Sequence, residues 1–106
     1  MIAYGNVLQA YVMKATLSPA LVAANTTAEQ TFTLPGVRLT TDMISAVSKP
    51  TAQAGLGIVG WRISADDTVA ITFSNNTASG ITPTASQVYF IHVVRVDGDA
   101  KTAIAR

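Results

Sequence analysis

Hydrophobic and polar positions alternate most cleanly over residues 68–74, TVAITFS. In an extended chain Val69, Ile71 and Phe73 fall on one side, and Thr68, Ala70, Thr72 and Ser74 on the other. A period of two is the mark of a strand with one covered face and one polar face. EQTFTL, residues 29–34, repeats the pattern, with Gln30, Phe32 and Leu34 opposed to Glu29, Thr31 and Thr33. QVYFIHVVRV, residues 87–96, is apolar at both parities, which predicts a central rather than an edge strand. LGIVGWRI, residues 56–63, reads as a strand whose Gly57 and Gly60 predict a bulge or a close backbone approach. Val69, Ile71, Phe73 and Phe32 are expected to share one core.

The remaining segments carry weaker signals. ALVAA (20–24) is a short candidate strand, and VRL (37–39) extends the sheet. DMISAVS (42–48) fits a strand or one or two helical turns, and AKTAIAR (100–106) adds a last short strand. Turn chemistry separates these runs: Asn25–Thr26–Thr27, Pro35–Gly36, Lys49–Pro50, Asp66–Asp67 and the long SNNTASGITPTAS loop at 74–86. Six to eight short strands so punctuated predict an all-β, antiparallel β-sandwich or barrel.

The first sixteen residues stand apart. Ile2, Tyr4, Val7, Leu8, Tyr11 and Val12 make them too apolar to be left in water. Val7, Leu8, Tyr11 and Val12 carry a helix-like spacing, yet a strand over 7–13 suits them equally. Residues 1–16 are therefore read as an N-terminal arm or an edge strand, and 17–106 as the sandwich. These six side chains are the expected protein interface, binding a sister subunit or another protein.

Composition sharpens this picture. The 106 residues suit one domain. Only 12% are charged, against roughly 25% in ordinary soluble domains. The net charge is +1 with no basic run, so neither nucleic acid nor an anionic membrane is an expected partner. Cysteine is absent, which removes disulfides, thiol nucleophiles and the usual structural zinc sites. MKATLSPALVAA (13–24) mimics a secretory signal, but an apolar stretch precedes it and Ser18–Pro19 interrupt it. Outside a secretory pathway the sequons at Asn25 and Asn75 are ordinary loop chemistry.

Candidate chemistry is thin. His92 is the lone histidine and shares a strand face with Phe90 and Val94; without further ligands it builds no metal site and reads as a partly buried side chain with a backbone partner, or as a pH-sensitive interface contact. Asp66 and Asp67 are adjacent, so on a strand they point to opposite faces and read as a turn. DGD at 97–99 lacks the third acidic position and distal Glu of a calcium loop. Gly55, Gly57 and Gly60 match G-x-G-x-x-G, but a strand follows where a phosphate site needs a helix. There is no G-x-S-x-G elbow. No catalytic residue, metal ligand or cofactor is expected. Trp61 reads as a core anchor, or with Tyr89 as a sugar-stacking platform.

Residues 55–95 also carry a resemblance. The run R-x-S-A-D-D-T-x-x-I-T-F-x-N from Arg62 to Asn75, then ITPTA at 81–85, then an aromatic–aliphatic strand ending in VVR at 93–95, resembles small β-sandwich virion proteins of tailed bacteriophages. By size the chain is most similar to the capsid cement or decoration class. The resemblance implies a jelly-roll-like sandwich, a non-enzymatic protein on the outer surface of a virion, made in the host cytoplasm. It would clamp adjacent major capsid protein subunits as a symmetric homo-oligomer, a dimer or trimer. A carbohydrate-binding or tail-fibre module that reads a host glycan is the other expectation.

Overall fold

Residues 7–97 are described by a computed structural model of the chain. Their six strands are β1 (Val7–Leu17), β2 (Thr26–Thr33), β3 (Asp42–Ser48), β4 (Leu56–Ala65), β5 (Thr68–Asn75) and β6 (Gln87–Val96). They form two antiparallel sheets, ordered β1-β6-β3 and β2-β5-β4. No helix occurs among the described residues. The architecture is the all-β, two-sheet one that the alternating pattern predicts.

Chain order explains the jelly-roll likeness. β1 pairs with β6 and β2 with β5, while β3 packs beside β4. This nesting is what results when a long hairpin is rolled up on itself. Only β4 and β5 are joined within one sheet; every other connection between consecutive strands crosses to the opposite sheet.

The core lies between the sheets, where the period-two faces meet. Val69, Ile71 and Phe73 of β5 are fully buried against Tyr89, Ile91 and Val93 of β6. Phe32 packs on this cluster as a half-buried side chain, because β2 is an edge strand. DMISAVS resolves as a strand: Ile44 and Val47 face the core across a bulge between Ile44 and Ala46. The bulge predicted from Gly57 and Gly60 is present, between Ile58 and Gly60.

Several expectations are corrected. ALVAA is not a strand: Val22 makes a single bridge to Ile81, and the rest of 18–25 crosses between the sheets. VRL is a loop, since side chains from elsewhere capture its amides, as described below. Trp61 is not a core anchor, being 37% exposed. Its position on the edge strand β4 lets the indole reach sideways, and its N–H donates to the Ile44 carbonyl at 3.1 Å. It thereby ties β4 to β3 and closes one side of the sandwich. AKTAIAR lies outside the described residues.

The N-terminal segment resolves in favour of the strand. Residues 7–17 run antiparallel to β6, from Val7 opposite Val96 to Leu17 opposite Gln87, with a bulge between Val7 and Gln9. An arm free of the sandwich is therefore excluded for these residues.

Candidate interaction surface

Strand parity sends alternate residues of the β1-β6-β3 sheet away from the core. The register sets them in rows: Ala10, Val94 and Met43; Val12, His92 and Ala46; Lys14, Phe90 and Ser48; then Thr16 and Val88. Val12 is 59% exposed, Met43 56%, Phe90 47% and Val88 41%. β6 is the central strand that its double-sided apolar pattern predicts, and only one of its faces is covered. The other opens to solvent as an apolar sheet surface, a feature that soluble single domains rarely leave without purpose.

The outer face of β2-β5-β4 is a direct comparison within the same molecule. Its rows read Thr27, Ser74 and Gly57; Glu29, Thr72 and Gly60; Thr31, Ala70 and Arg62; Thr33, Thr68 and Ala65. Hydroxyls dominate. Glu29 and Arg62 join across β5 through two 2.8 Å hydrogen bonds, which hold the Glu29 carboxyl below its usual range. The crossing pair roofs Ala70, which is fully buried despite its outward parity. One outer face thus carries mainly hydroxyls and an ion pair, with Val59 an exposed aliphatic side chain among them, and the other carries a broader stretch of exposed aliphatic and aromatic carbon.

Polar groups on the apolar face are few. Lys14 holds its ammonium 5.9 Å from the centre of the Phe90 ring, a cation–π distance. His92 bonds through Nδ1 to the hydroxyl of Ser45, which sits in the β3 bulge. The half-buried histidine thus has a side-chain hydroxyl for a partner where a backbone group was expected. Towards the Gln87 end of β6, Phe90, Val88 and Pro50 line a shallow groove of about 420 Å³ with Ser48, Ser86 and Gln87.

Comparison with protein-family models, with curated proteins and with solved structures finds no match.

Among the expected interface residues, Val7, Leu8 and Val12 are exposed on β1. Tyr11 does not join them: its odd parity turns it inward, where it packs against the core. Ile2 and Tyr4 lie outside the described residues. The larger part of the surface, Met43, Val88, Phe90 and Val94, was not among the expected residues. The signal was present in QVYFIHVVRV, where apolar residues at both parities fit a surface that needs a partner as well as a doubly covered strand.

The carboxylates are structural. Asp66 and Asp67 form the β4–β5 turn, and Asp67 takes a positive φ of 60°. This is the turn that the adjacent aspartates predict, and departing from strand geometry lets both carboxylates reach the same loop. Asp67 accepts from the Gly36 amide at 2.8 Å and Asp66 from the Leu39 amide at 3.0 Å. These bonds hold the 35–41 segment as a loop. Asp42 is buried and accepts two 2.8 Å bonds from the Arg95 guanidinium, with further bonds from Thr41 and the Arg38 amide. The Arg95 contacts hold its carboxyl down to about 2 against the cost of burial. Tyr89 is fully buried and lies far from the role of a sugar platform.

Proposed function

We propose that this chain is a non-enzymatic structural protein of a bacteriophage virion. It binds the outside of the capsid and bridges adjacent major capsid protein subunits as a symmetric oligomer. One observation carries the reading: the apolar outer face of β1-β6-β3 set against the hydroxyl-covered outer face of β2-β5-β4. A protein held flat on a protein shell needs one face for the shell and one for water. Each 100 Å² of apolar surface covered is worth roughly 2.5 kcal/mol before the costs of association. Repetition around a shell multiplies modest single contacts. The resemblance of residues 55–95 to small virion sandwiches points the same way. So does the low charge content, which suits a surface covered in service. A glycan platform has less to stand on, because Tyr89 is buried and the Trp61 N–H is engaged by Ile44.

The test is co-sedimentation with shells assembled from the major capsid protein encoded beside this chain's gene. Wild-type protein is expected to pellet with the shells. Val88→Asp with Phe90→Asp, placed on the apolar face, should weaken binding at least about tenfold, the equivalent of one lost apolar contact. Thr31→Asp with Thr33→Asp, on the hydroxyl face, should bind as wild type. The reverse result assigns the wrong face, and a wild-type protein that ignores the shells overturns the reading.

A further inference from the structure

Two sheets of three strands have four edges, and three of them meet another part of the chain, if only through a side chain. The edges of β3 and β4 lie against each other and are pinned by the bond from Trp61 to Ile44. Beside β2 runs the link from Ser18 to Asn25, where the Gln30 side chain bonds both the N–H and the C=O of Ala20, at 2.7 and 2.9 Å. β1 differs. It is the longest strand, at eleven residues, and among the described residues no strand pairs with its outer side. None of residues 8–16 makes a hydrogen bond outside its sheet to another described residue. Proteins usually blunt such an edge with several charges, lysine above all, with proline or with bulges along it. Here the only bulge lies at one end, between Val7 and Gln9, and the only charge is Lys14.

We infer that β1 pairs edge to edge with β1 of a second copy, antiparallel, about a two-fold axis through Val12. The inference rests on the oligomeric reading proposed above and gives it a geometry. A row of free N–H and C=O groups is satisfied by another strand, and an antiparallel pairing of identical strands is self-complementary. Val12 is the midpoint of Val7–Leu17, so this axis overlaps the whole strand. It sets Val12 against Val12, and Ala10 against Lys14 of the second copy. The two lysines then stand about 13 Å apart along the strand, farther than the Debye length of about 8 Å in physiological salt. On the core side Tyr11 meets Met13 of the second copy, an aromatic–thioether pair that extends each core into the next. The product is one six-stranded sheet whose outer face doubles the apolar surface offered to the shell.

The chain has no cysteine, so single-cysteine variants of the full protein report one position each. Light scattering should give the mass of two chains. A short thiol-to-thiol cross-linker should join Val12→Cys to itself and leave Thr16→Cys unjoined. Val12→Lys places like charges directly opposite and should weaken the dimer at least about tenfold, with an unchanged circular-dichroism spectrum. Val59→Lys, exposed on the other sheet, should leave it intact. A single-chain mass at concentrations on the order of 100 μM overturns the inference. So does cross-linking through Thr16→Cys or Phe90→Cys but not Val12→Cys, which reports another register or face-to-face packing. A single-chain protein that still pellets with shells sinks this inference alone. A dimer that ignores shells sinks the shell-binding reading alone.

Discussion

Single residues in this chain hold loops in place more than they perform chemistry. Asp42 is the strongest case. Its buried carboxylate receives a two-pronged contact from Arg95, which also donates to the Gly36 carbonyl at 2.7 Å. Three separate parts of the chain thus meet at one ion pair. Because the folded carboxyl is held down to about 2 from an ordinary 3.8, its stabilising effect is complete above about pH 4. It is lost as the pH falls from there to about 2. Asp42→Asn should cost about 2 kcal/mol at neutral pH and flatten stability across that acid window. Urea titrations at pH 7, 4 and 2.5 check both. None of this was legible in the sequence, where Asp42 opens an ambiguous DMISAVS run and Arg95 lies fifty-three positions away.

At the scale of elements, the pattern of the chain was informative where one face is apolar and the other polar. TVAITFS and EQTFTL became β5 and β2 with their cores facing as expected. It was less informative wherever a distant side chain decided the backbone. VRL has strand-forming residues but is held as a loop by two aspartates from the β4–β5 turn. ALVAA is followed by the β2 edge that Gln30 caps, so its polar groups go to a side chain and to Ile81 rather than a ladder. The apolar face itself was half legible: the residues of β6 announced it, but Met43 joined it only through the register of β3. Trp61 exposes the same limit, since its role depends on β3 lying beside β4. Trp61→Phe keeps an aromatic ring but removes the N–H together with the fused pyrrole, and should cost at least about 1 kcal/mol, the worth of the lost bond. Chemical denaturation followed by circular dichroism measures it.

The whole molecule has one continuous core drawn from both sheets, so the sheets are expected to melt together. Phe73→Ala, at the fully buried centre, should cost about 3–5 kcal/mol and shift every probe by the same amount. Trp61 fluorescence at the β3–β4 seam and circular dichroism of the whole chain should trace coincident transitions. The nested pairing has a consequence for how the protein is made. β6 is the last of the six strands to leave the ribosome, yet it is the middle of its sheet, and β1 and β3 neighbour each other only through it. Until β6 arrives, β1 has been waiting the longest and has nothing to pair with. The nascent chain therefore carries its most association-prone edge while β2 to β5 are made. Folding then depends on contacts between the two ends of the described chain, the slow kind. If the mature protein joins copies through that same edge, self-assembly competes with folding while the chain is still being made. High expression is then expected to favour aggregates, and slower synthesis to favour the soluble form.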